Sequence, residues 1–192
     1  MGQYYKPCVL STDKQTVVKF MYSDDYDNGP KLMEHSYLGN DFVSAFETLI
    51  AHKPKRVVWA GDYADREAYE KVSDIKGSIV DFGKESNCYD RCIDSLKTKP
   101  KTKDMTGYDF IVNHDKKLYV MKSKCPKMKA EWADGMQIHS LPLLVSEGNG
   151  RGGGEYKGSS INLVGTWARD LISVEKQVPT GFTELIPNFD EK

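Results

Sequence analysis

Between Glu147 and Asp170 the chain reads EGNGRGGGEYKGSSINLVGTWARD. Five glycines and one arginine lie within the seven positions 148–154. Successive backbone N–H groups of such a run can fold into an anion-binding nest, and Arg151 adds a bidentate donor for phosphate or carboxylate. Trp167, Arg169 and Asp170 follow, so Glu147, Asn149, Arg151, Trp167, Arg169 and Asp170 make the candidate ligand-binding set. Gly148, Gly150 and Gly153 also match the spacing G-x-G-x-x-G. A dinucleotide fingerprint needs a strand before the glycines and a helix after them. Here the following stretch is polar, broken by Gly158, and then strand-like, so the fingerprint fails on context. The plain alternative is a long hairpin loop, which glycine also favours.

Three smaller groupings could carry chemistry. Cys88 and Cys92 are four apart, which on a helix puts both sulfurs on one face. With Cys125 and either His35 or His114 they would complete a four-ligand zinc site. The spacing departs from the C-x-x-C pairs of common zinc sites, and buried cysteine is also an ordinary small hydrophobe. Glu34 and His35 are adjacent, a pairing that can serve general-base chemistry, although neighbours on a helix do not face each other. A basic belt holds Lys97, Lys99, Lys101, Lys103, Lys122, Lys124, Lys127 and Lys129. From Arg91 to Lys129 there are eleven basic residues against four Asp, which suits contact with an anion, nucleic acid or an acidic protein surface.

The whole molecule is not built for a polyanion. Its net charge is −1, so the belt is balanced by an acidic remainder. Its 192 residues, 39% of them apolar and 29% charged, suit a single globular domain over 1–192 that needs neither disulfide nor metal to bury a core. No run has the length of a membrane span, and the N-terminus lacks a signal-peptide core. Four cysteines in that context predict free thiols in a cytoplasmic protein with no membrane partner. Nothing in the sequence requires a cofactor.

The elements that must position these residues are legible in part. Gln3–Leu10 and Thr16–Tyr22 predict an opening hairpin, with Pro7 suited to an edge strand. Ser23–Pro30 is an acidic loop, and Lys31–Leu38 a short helix or turn. Asp41 is placed to cap a helix whose apolar residues Phe42, Ala45, Phe46, Leu49 and Ile50 share one face. Arg56–Ala60 reads as a buried central strand, followed by a polar loop and a helix from Arg66 to about Lys76. A short strand is placed at Ile79–Phe82, a helix at Asn87–Leu96 and a second hairpin at Tyr108–Asn113 and Leu118–Lys122. Strands at Ile138–Ser146 and Ile161–Val174 flank the glycine-rich run. Together these predict an α+β fold: a mixed, mostly antiparallel sheet with two or three packed helices.

Two resemblances extend this. Gly-Asp-Tyr-Ala-Asp-Arg after an apolar strand resembles the second metal motif of calcineurin-like metallophosphoesterases, and Asn113-His114-Asp115 resembles their Asn-His element. That resemblance implies a metal-dependent phosphoester hydrolysis using Asp62, Asp65 and His114. The family's Asp-x-His and Gly-His-x-His elements are missing, and Asp62 and Asp65 also suit a helix start. Over nearly its whole length, through MGQYYK, KLMEHSYLGNDFV, RVVWAGDYAD, EGNGRGGGEYKG and WARDLISVEK, the chain resembles a group of small phage and bacterial proteins of no established activity. This implies an accessory protein of a mobile element acting in a host cytoplasm. The leading expectation is a binding protein that takes an anionic small molecule, such as a nucleotide or phosphorylated metabolite, or a host protein. The alternatives are the phosphoesterase and an inhibitor that uses the basic belt.

Overall fold

The computed structural model describes residues 2–51, 53–69, 85–128, 135–149 and 156–190. In chain order the elements are β1 (Tyr5–Leu10), β2 (Val17–Phe20), α1 (Leu32–His35), α2 (Asp41–Ile50), β3 (Lys55–Gly61), β4 (Glu67–Ala68), β5 (Glu85–Ser86), α3 (Cys88–Arg91), β6 (Leu96–Lys97), β7 (Phe110–Asn113), β8 (Leu118–Met121), α4 (Ser140–Leu144), β9 (Ser146–Glu147), β10 (Leu171–Glu175) and β11 (Thr183–Glu184). The fold is α+β. One mixed sheet runs in the order β11-β8-β7-β10-β3-β1-β2-β6, and β4 and β5 form a separate antiparallel pair.

The pivot is β3. Val57, Val58, Trp59 and Ala60 are all fully buried, as expected of a continuous apolar run covered on both faces. Alternation sends Val57 and Trp59 into the large core and Val58 and Ala60 into a smaller one with Cys8, Leu10, Val17, Phe20, Cys88 and Cys92. On one edge β3 pairs with β1 over six residues. The other edge is divided. Antiparallel β10 takes Lys55 and Arg56, whereas parallel β9 takes Trp59 and Ala60. The sheet therefore forks along β3, and residues 164–170 thread the fork: Gly165 and Trp167 donate to the Leu143 and Leu144 carbonyls and Arg169 to that of Val57.

The large core is closed by α2, whose Phe42, Val43, Ala45, Phe46 and Ile50 are fully buried. Phe42 and Phe46 meet the Trp59 ring edge-on at 6.0 and 5.0 Å. The cap of this helix is Asn40, one residue before the expected Asp41. The Asn40 Oδ1 accepts from the Phe42 and Val43 N–H groups at 3.0 and 3.1 Å. Two polar clusters are buried with it. His35 donates through Nδ1 to the Gly29 carbonyl at 3.1 Å and accepts the Trp59 indole N–H at 2.8 Å. Its ring is thus fixed neutral, and burial pulls its pKa down to about 4. Glu47 on α2 holds both Lys122 and, at 3.0 Å, His139 Nε2. Burial pushes the Glu47 carboxyl up, but His139 and Lys122 outweigh it and hold it below the usual range. His139 Nδ1 in turn caps α4 by accepting from Leu141 N.

Four further expectations need correction. Pro7 lies in the interior, on β1 between β2 and β3. A strand residue points its N and its carbonyl to the same side. Pro7's carbonyl accepts from Met21, so its missing donor falls where β2 ends and the β3 ladder is intact. The helix from Arg66 does not begin there: Glu67 and Ala68 pair in extended form with Ser86 and Glu85. The remainder of that helix and the strand at Ile79–Phe82 lie outside the described residues. Ile138–Ser146 is mainly helix, because Leu141 to Val145 are buried on every side and His139 caps them. Pro142 is compatible with a first turn. Ile161–Val174 is strand only from Leu171, since positive φ at Gly165 (74°) and Arg169 (65°) turns the chain before it.

Candidate functional site

A cleft of about 740 Å³ opens at the fork. Its walls are Ala64 to Glu67 beyond the end of β3, Ser146 to Gly148 on and after β9, and Asn162, Val164 to Thr166, Ala168 and Arg169 from the threading segment. The volume is that of an ordinary small-molecule site. The position, beyond the carboxyl end of a central strand where its neighbours part, is also where open α/β sheets place ligands.

Arg169 dominates the cleft. Its left-handed backbone, a conformation that costs a non-glycine residue about 1 kcal/mol, is held by the N–H donated to Val57. The guanidinium grips Glu147 with Nε and Nη2, at 2.6 and 2.8 Å. Nη1 donates to Glu67 Oε1 at 2.6 Å. The same Glu67 oxygen accepts from Arg91 at 2.9 Å. Arg91, itself buried, is anchored by Ser86 Oγ, the Ser86 carbonyl and the Gln15 carbonyl, and its guanidinium stacks 4.0 Å from the Tyr69 ring centre. The result is a ladder, Glu147–Arg169–Glu67–Arg91, that ties β9, the threading segment, β4 and α3 together. Burial alone would lower the Arg169 pKa, but the hydrogen bonds it donates to Glu147 and Glu67 and the surrounding charge raise it above the ordinary value. Cys88 lies beside this ladder, and burial pushes its thiol up to about 12 against the pull of Arg169.

The structure brings together only part of the expected ligand set. Glu147 and Arg169 meet directly, and exposed Asn149 follows β9. Arg151 lies outside the described residues. Trp167 is 1% exposed and belongs to the large core. Asp170 turns away from Arg169, accepting from Asn113 Nδ2 at 2.8 Å and from Lys116.

The alternative sets are dispersed. Asp65 lines the cleft, while Asp62 accepts from the Tyr4 N–H at 3.0 Å. His114 donates its backbone N–H to Leu171, which pairs with Arg56 at the start of β3, and Asp62 follows that strand's end. Six residue steps of strand, roughly 20 Å, separate the two. Cys88 and Cys92 share the smaller core with Cys8, whose sulfur is 3.4 Å from that of Cys92. Cys125 lies in the large core beside Ser140, so the three cysteines named as zinc ligands do not converge. Among the described residues no group of three or more His, Cys, Asp or Glu side chains is arranged to hold a metal ion. The belt is divided too: Lys97 pairs with Asp25, Lys122 with Glu47 and Lys124 with Glu184, while Lys129 lies outside the described residues.

Glu67 and Arg91 were not legible in the sequence. Their contacts span 24 and 102 positions, so no local spacing announces them. No protein-family model matches the chain, and neither a curated protein nor a solved structure is similar to it. No described helix is long and apolar enough to cross a membrane.

Proposed function

We propose that this is an accessory binding protein that takes a small polar ligand, of the nucleotide or phosphorylated-metabolite kind, in the cleft at the fork of the sheet. The observation that carries this reading is the cleft itself, at the divided edge of β3, with Arg169 held into it from a left-handed backbone. A side chain anchored by salt bridges on two elements is pre-organised, so binding costs little further ordering. The accessory role follows the resemblance to small phage and bacterial proteins. A purely anionic ligand draws its support from Arg151, since Arg169 is already matched by two carboxylates. The test is a thermal-shift screen of nucleosides, nucleotides and sugar phosphates, repeated with Asn162→Trp, which places a large ring at the cleft wall. A shift of several degrees that Asn162→Trp removes supports the reading. No shift across the panel, or one indifferent to that substitution, refutes it.

A further inference from the structure

We infer that the cleft recognises its ligand through a neutral edge in which hydrogen-bond acceptors stand beside N–H or O–H donors, as in a guanine base or a sugar diol, and not through a phosphate. This inference rests on reading the cleft as a ligand site and specifies what that site holds.

The charge inventory of the walls gives the first argument. Asp65, Glu67 and Glu147 stand against Arg66 and Arg169. Both arginines are matched, Arg66 by Asp90 at 3.1 Å and Arg169 by Glu147 and Glu67. An entering anion therefore finds no surplus cation among the described residues of the walls. It must either lie against three carboxylates or pull Glu147 off Arg169, and both are unfavourable in a partly desolvated site.

The open hydrogen-bonding positions give the second. A guanidinium has five N–H donors, and the described contacts of Arg169 use three, which leaves two for a neutral acceptor. Among the described residues Glu67 accepts both of its contacts on Oε1, which leaves its Oε2 open to a donor. Asp65 adds a second carboxylate on the same wall. A guanine presents O6 and N7 as acceptors, the pair that arginine reads bidentately in nucleic acids, next to its N1–H and N2–H donors. A sugar diol offers the same alternation on adjacent hydroxyls. Glu147, locked bidentately on Arg169, keeps the guanidinium in place while the ligand edge docks.

The experiment is isothermal titration calorimetry of the intact protein with guanosine, methyl glucoside and inorganic pyrophosphate, each at 20 and 300 mM NaCl. Guanosine or methyl glucoside binds, with a Kd that changes less than twofold between the two salt concentrations, and whichever binds names the source of the edge. Glu67→Gln and Asp65→Asn each weaken that binding tenfold or more; Asp65 is exposed and pairs with no other side chain among the described residues, so Asp65→Asn tests the idea even if Glu67→Gln fails to fold. Pyrophosphate binding that weakens steeply with salt and is lost in Asn162→Trp overturns the inference while leaving the cleft a ligand site. Neutral-ligand binding unchanged by both carboxylate substitutions also overturns it. No heat with any of the three probes overturns this inference, while a shift lost in Asn162→Trp for another ligand in the thermal screen still upholds the cleft.

Discussion

Acid should destabilise this fold through His35, and the size of the effect follows from the structure. The imidazole is fully buried, with one nitrogen donating to Gly29 and the other accepting from Trp59. Protonation would put a second N–H against the Trp59 indole N–H and a charge into the core. The pKa accordingly falls from 6.5 to about 4. Because the folded pKa is depressed, the unfolded chain binds a proton that the folded one refuses. The contribution is complete above pH 6.5 and is lost as pH falls towards 4. At about 1.36 kcal/mol per unit this amounts to about 3 kcal/mol in full, and about 2 kcal/mol is gone by pH 5. Other groups titrate in the same range, so the measurement is a comparison. Urea unfolding of the wild type and of His35→Gln, followed by tryptophan fluorescence, is run at pH 7.5, 6 and 5. Glutamine keeps an acceptor for Trp59 and a donor for Gly29 but does not titrate. Between pH 7.5 and 5 the wild type should lose about 2 kcal/mol more than the variant. Parallel losses within about 0.5 kcal/mol would refute the reasoning.

Three further outcomes follow. Glu47→Gln leaves Lys122 mostly buried without a counter-ion and should cost about 3 kcal/mol in a denaturant melt, the range for breaking a buried pair. Asn40→Ala removes both acceptor contacts at the start of α2, and a loss of about 1 kcal/mol is expected by the same assay. Arg169→Gly relieves the left-handed backbone but strands Glu147 and leaves Glu67 with Arg91 alone, so it should destabilise, whereas a gain in Tm would show the ladder to be dispensable.

Local chemistry made much of the frame legible. The opening hairpin, α2, β3 and the β7–β8 hairpin all carry their signal within a few residues. The apolar run at Leu141 to Val145 did not, because a segment buried on every side has no periodicity to tell helix from strand. The threading segment reads as a strand in sequence, and its alternate N–H groups do bond outward, at Gly165, Trp167 and Arg169. What sequence could not reveal was the left-handed turn at Arg169, a conformation rare outside glycine. The candidate site divided in the same way. Glu147 and Arg169 were found because both flank one conspicuous run. Trp167 and Asp170 were grouped with them by proximity in sequence, yet they face the core and the β7–β8 turn. Glu67 and Arg91 come from distant segments: Glu67 meets Arg169, and Arg91 meets Glu67, only because the sheet forks beside them.

The central claim is that the fork of the sheet is the ligand site, and amide NMR during a titration tests it most directly. With guanosine or methyl glucoside as the added ligand, saturable shifts should concentrate at Glu67, Gly148, Gly165, Thr166, Ala168 and Arg169, the walls of the cleft. Shifts that saturate elsewhere, with these amides unmoved, would contradict the account.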